Sequence, residues 1–178
     1  TRSKGKSKPT RKAFKRRTAS ILSPLRYPGG KRRLAGYIAA TIRLNGLRPK
    51  LFVEPFAGGA SVALQLLNDG LVESIALGEK DPLLASLWKT VFTDHEWLIE
   101  KLRSTEPTLA NWDRFKNGRY QTDRQRALAC IFLNRTSFSG IIAPSGGPIG
   151  GRSQASAYTI GCRYAVEHIV KRIEQAVQ

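Results

Sequence analysis

Apolar residues recur along this chain with two distinct periods. From Arg32 to Leu44, Leu34, Ile38 and Ile42 fall at helical spacing, and Asn45-Gly46 followed by Pro49 supplies a stop. Leu51-Phe52-Val53 is a short apolar run of strand character closed by Glu54-Pro55. A Gly58-Gly59 loop then opens into a helical pattern from Ala60 to Asn68, which Asp69-Gly70 ends. Ser74 to Leu77 reads as a second strand and Leu83 to Phe92 as a helix, with Asp94 placed to cap another helix running toward Leu102. Strand, glycine loop, helix, strand, helix is the order of a βαβ unit in a parallel sheet.

Beyond this unit the character changes. Asn111 to Asn134 is mostly helical, Ser137 to Tyr158 is rich in glycine, serine and proline like a long loop, and Tyr164 to Val177 is a last helix carrying Val166, Ile169, Val170 and Ile173. No internal repeat and no second domain is evident. A length of 178 residues and an apolar fraction of 41% fit one globular domain with a real core. No run approaches the roughly 20 apolar residues that a bilayer requires, and the basic start leads into no signal-like apolar stretch. Cys130 and Cys162 match no metal spacing; both lie beside apolar residues, and the expectation is two buried free thiols in a reducing cytoplasm.

Charge adds a partner. The net charge is +17, and nine of the cations (Arg2, Lys4, Lys6, Lys8, Arg11, Lys12, Lys15, Arg16, Arg17) crowd the start, with no acid before Glu54. The rest carries 21 basic against 13 acidic residues. A basic body with a basic tail suits a polyanion such as DNA or RNA. The tail, residues 1–20, has too few apolar residues to order itself and reads as a mobile arm, with a single domain over 21–178.

Glu54-Pro55-Phe56-Ala57-Gly58-Gly59-Ala60-Ser61 is the most informative local feature. Glycines directly after a strand let backbone approach a ligand, and a helix start presents free N–H groups. The loop lacks the G-x-G-x-x-G spacing of dinucleotide folds. Gly30-Lys31 is no Walker A loop either, since Leu25 and Arg32 stand where that motif needs glycine and Ser or Thr. A tight strand-to-helix turn would look the same. Asp81, just past the second strand, could accept ribose hydroxyls or, followed by Pro82, simply cap a helix; both readings stay open.

Together the segments are more specific than any one of them. Leu25-Arg26-Tyr27-Pro28-Gly29-Gly30-Lys31, then Phe52 to Val62, then Asp81, then Leu133-Asn134-Arg135-Thr136-Ser137-Phe138-Ser139-Gly140 resemble, in order, the Dam-type adenine-specific DNA methyltransferases over about residues 24–172. The resemblance implies an α/β, Rossmann-like methyltransferase domain, incomplete at its C-terminal side, that binds S-adenosylmethionine. Its cofactor part would cover about 24–92 and its helical and DNA-contacting part about 93–164. Tyr27, Pro28, Gly29, Gly30 and Lys31 would wall the cofactor pocket, with Lys31 toward the methionine carboxylate. Glu54, Pro55, Phe56, Gly58, Gly59 and Ser61 would lie beneath the methionine portion, and Asp81 would take the ribose. Asn134, Arg135, Phe138 and Ser139 would contact double-stranded DNA, Arg135 at a phosphate or base edge and Phe138 beside the space left by a flipped adenine. Read without the resemblance, Phe138 is a loop anchor and Arg135 a helix C-terminal charge. After Gly140 the chain departs from the family's arginine- and asparagine-rich continuation, so no target sequence carries over.

The family's catalytic tetrad, of the Asp-Pro-Pro-Tyr type, has no counterpart. The chain holds no Pro-Pro, and its one Asp-Pro is Asp81-Pro82, followed by two leucines. No catalytic residue is therefore assigned, and the expectation is a fragment, a disrupted gene, or half of a split enzyme completed by a second polypeptide, inactive alone. A competing expectation is a non-catalytic DNA-binding module with a relic cofactor pocket; a third, an RNA- or ribosome-associated basic protein, rests on charge alone.

Overall fold

The computed structural model describes residues 23–26 and 31–178. The basic tail and Tyr27, Pro28, Gly29 and Gly30 lie outside the described residues.

Two strands, β1 (Leu51–Glu54) and β2 (Ser74–Leu77), pair in parallel with Leu51 opposite Ser74 and Glu54 opposite Leu77. They are joined by α2 (Ser61–Asn68) and preceded by α1 (Arg32–Leu44), so the βαβ unit expected from the sequence is present. Five more helices follow: α3 (Pro82–Thr93), α4 (His95–Ser104), α5 (Leu109–Lys116), α6 (Asp123–Thr136) and α7 (Val166–Val177). The described fold is thus mixed α/β with a two-stranded parallel sheet.

Two apolar clusters hold it. The smaller joins α1 and α2 through Ala35, Ala39, Ile42, Val62, Leu66 and Val72. The buried stripe of α1 is therefore turned by one residue from the Leu34-Ile38-Ile42 face expected above, and Leu34 is exposed. Small alanines let α1 settle closely on α2, which places the larger residues at the flanks. The larger cluster centres on α3 against α6, with Leu87, Val91, Ile131 and Phe132 wholly buried. Helix α6 starts on a capping box in which the Thr122 hydroxyl accepts from Gln125 N–H and Gln125 reaches back to Thr122. Asp94 does occupy the N-cap position of α4, but its side chain does not cap; the carboxylate is taken by Arg124 instead.

The 137–158 segment is irregular but anchored. Ser137 and Pro148 form an isolated antiparallel bridge, and Phe138 N–H donates to Gly147 O at 2.9 Å. Cys130 is buried at the centre of α6, as expected. Cys162 is not: it is exposed, because the 3-10 turn Ile160–Arg163 turns Ile160 inward and its thiol outward. Among the described residues no helix is long and apolar enough to cross a membrane, and no group of side chains could hold a metal ion.

Candidate functional site

The C-terminal ends of β1 and β2 carry the glycine loop. Ala57 N–H donates to Gly78 O and Gly78 N–H to Glu54 O, each at 2.9 Å, so the exits of both strands are stitched together. Gly78 can be only glycine here, since a Cβ would stand 2.9 Å from Pro55 O. Two residues of the loop turn left-handed, Gly58 (φ 47°) and Ala60 (φ 49°). The indole N–H of Trp88 in α3 donates to Gly58 O at 2.8 Å. Gly58, Gly59 and Ala60 are buried, Ser61 is half-buried, and Pro55 and Phe56 are exposed.

Glu54 caps α2 from outside. Ala60, the N-cap residue, has no hydrogen-bonding side chain to offer, and a Glu54 carboxylate oxygen accepts Ala63 N–H at 3.1 Å. Burial pushes the Glu54 carboxyl above its ordinary value, while the Ala63 N–H and the positive charge of Lys31 pull it back down. Lys31, which is exposed, therefore lies on the same side of the molecule as the loop.

Two acids stand beyond β2. One Asp81 oxygen accepts Leu83 N–H at 2.8 Å and Leu84 N–H at 3.4 Å, so the capping reading of Asp81 is realised. Glu79 is the residue that sequence reasoning missed. Its carboxylate accepts Gly58 N–H at 2.8 Å with one oxygen and the N–H groups of Lys80 and Asp81, at 2.8 and 3.1 Å, with the other. Glu79 thus touches the glycine loop directly, whereas Asp81 faces its own helix. Its position two residues past Leu77 was the available signal. A cavity of about 450 Å³ opens beside it, lined by Gly78, Glu79, Trp88, Lys89 and Phe92 among others. A larger one, about 840 Å³, lies at the opposite end of β2, between Val72–Ile75 and the last residues of α7.

The four residues expected at DNA divide into two pairs. Phe138 (68% exposed) and Ser139 sit outside, Ser139 with φ 55°. Asn134 and Arg135 are buried. Asn134 holds the backbone of Arg26, and the Arg135 guanidinium donates through two nitrogens to Pro24 O. Burial, with Arg172 and Arg26 close by, pushes the Arg135 guanidinium down to about 10. This arginine grips the chain near its basic end rather than presenting itself to solvent. A cavity of about 330 Å³ collects Arg26, Phe138, Ser139, Tyr158, Cys162 and Arg163. Arg26 lies in the 25–31 motif but, like Tyr158 and Arg163, is not assigned to a site by the sequence, because their neighbourhood is made by residues far apart in the chain.

A model of the D12 class N6 adenine-specific DNA methyltransferases matches residues 27–146, well over half of the chain. The Type II methyltransferase M.MjaIII of Methanocaldococcus jannaschii is 26% identical over an alignment of 133 positions that covers 66% of this chain and 46% of that protein. The chain thus matches less than half the length of that relative. With the glycine loop at the strand ends and a basic, aromatic cavity at Phe138, the chain belongs to the D12 class N6 adenine-specific DNA methyltransferase family.

Proposed function

We propose that this chain forms the cofactor- and DNA-binding part of an enzyme that methylates N6 of adenine in double-stranded DNA, on a Rossmann-like sheet of which β1 and β2 are members. S-adenosylmethionine would supply the methyl group as an electrophilic sulfonium. The observation that carries the reading is the Glu79 carboxylate held against the glycine loop at the ends of two parallel strands, the place where α/β sheets bind nucleosides. The donor set fits. Lys31 meets a carboxylate, the Gly58–Ser61 backbone permits close approach, and Glu79 keeps lone pairs for ribose hydroxyls. Asp81 contributes to the ribose only through the oxygen its helix leaves unused. Tyr27 to Gly30 would complete the wall.

Phe138, Ser139, Arg26, Tyr158 and Arg163 would face DNA, with aromatic rings for unstacked bases and guanidinium groups for phosphates or base edges. Arg135 and Asn134 would act from behind this surface. Since the 178 residues contain no Asp-Pro-Pro-Tyr tetrad to accept from N6 and stack on adenine, they would bind both ligands without transferring methyl themselves. Calorimetry of the chain with S-adenosylmethionine tests the reading. Measurable binding is expected, weakened at least about tenfold by Glu79→Ala, the loss of a charge-assisted pair of hydrogen bonds. Salt-dependent DNA binding with no cofactor heat would favour a DNA-binding module with a relic pocket. Radiolabel transferred to duplex DNA by the purified chain would overturn the claim of inactivity.

A further inference from the structure

Asn134, 3% exposed, joins two stretches of the chain, Arg26, 108 residues before it, and Gly140, six residues after it. Its carbonyl oxygen accepts Arg26 N–H at 2.7 Å. Its amide nitrogen donates to Arg26 O at 2.9 Å and to Gly140 O at 3.0 Å. Both amide hydrogens are thus committed, and to two different loops. Gly140 seals the join. Its φ is +75°, and a Cβ there would stand 2.5 Å from Arg26 O and 3.1 Å from the Asn134 amide nitrogen. The Arg26 backbone therefore presses directly on the 138–140 turn. In the chain, Arg26 is five residues ahead of Lys31, the cation whose charge reaches Glu54. Arg135 and Arg172 reinforce the same segment by donating to Pro24 O and Ser23 O.

We propose that Asn134 is a positioning residue which fastens the DNA-facing turn 138–140 to the segment that leads to Lys31, so that DNA and cofactor are bound cooperatively. The physical route is ordering. A ligand that immobilises one of two clasped segments spends the ordering entropy for both, and the second ligand then binds more tightly. The inference rests on the functional reading above, and its test separates the two.

S-adenosylmethionine is titrated calorimetrically into the full chain, alone and saturated with a duplex oligonucleotide. In the wild type the duplex tightens cofactor binding by about fivefold or more, the ordinary scale of such coupling. In Asn134→Ala this ratio falls to near one while both ligands still bind singly. Asn134→Asp, which keeps the acceptor for Arg26 N–H but cannot donate, falls between. A wild-type ratio of one, or an undiminished ratio in Asn134→Ala, overturns the proposal. Hydrogen exchange on the ligand-free chain is the second measurement. Asn134→Ala and Gly140→Ala should each raise exchange at Arg26 and across residues 138–141 together, with α3 unchanged. Loosening confined to one of the two segments overturns the clasp. Should the wild type bind neither ligand, the functional reading fails while exchange still decides the clasp.

Discussion

Helices α3 and α6 bury Leu87, Val91, Ile131 and Phe132 completely, whereas β1 leaves Leu51 and Val53 more than half exposed. The contrast separates what stabilises this protein from what it presents. Parallel sheets ordinarily owe their order to burial on both faces, and two short strands are marginal alone. Here the loop at the strand ends is fixed by side chains instead, by Trp88 of α3 on Gly58 O and Glu79 on Gly58 N–H, while Glu54 at the end of β1 holds Ala63 N–H of α2. The helical half acts as the frame on which the loop of the sheet half is mounted.

The sharpest way to break this contrast is at its strong side. Phe132 packs tilted against Phe115 and edge-on against Tyr164, with ring centroids 4.6 and 5.3 Å away. Phe132→Ala should cost about 3–5 kcal/mol, read from urea unfolding, and take the whole domain with it. A value near zero would mean that the helical half is not the frame. Trp88→Phe tests the mount itself: the ring stays, but Gly58 O loses its donor. The expected loss is roughly 1–3 kcal/mol, accompanied by weaker cofactor binding in calorimetry.

Glu54 should produce a smaller effect, and one that depends on pH. Its carboxyl is held above the ordinary 4.5, first by burial. A carboxyl that binds its proton more tightly when folded costs stability once ionised. Stability contributed by this group is therefore lost as pH rises from about 4.5 through the raised folded value. Glu54→Gln, which can still accept Ala63 N–H, should remove this dependence and be the more stable protein at neutral pH. A steeper loss with rising pH in the variant would contradict the assignment. Smallest of all, Leu51→Thr with Val53→Thr should shift stability by no more than about 0.5 kcal/mol, measured by the same unfolding curves.

Local chemistry made much of the frame legible. Arg32–Leu44 and Ser74–Leu77 end where their flanking glycines, prolines and polar residues say they should. The glycine loop at the strand ends was legible for the same reason, since a strand followed by glycines and a helix is a contiguous pattern. Glu79 escaped because Asp81-Pro82 gave the stronger local signal, that of a helix cap. Burial of Asn134 and Arg135 escaped because their partners are 108 and 111 residues away, beyond the reach of any local period. The exposure of Cys162 depends likewise on a turn whose direction is set by Ile160 finding the core.

Ala60 stands where glycine would be the easy choice, wholly buried and left-handed at φ 49°. An alanine in that region stores roughly 1–2 kcal/mol that a glycine would not. What it secures is definition. A glycine at the hinge between strand and helix samples several shapes, while a methyl group pinned in the core admits one. The loop proposed to receive the cofactor's tail would then be set before any ligand arrives, and binding would be spared the cost of choosing among forms.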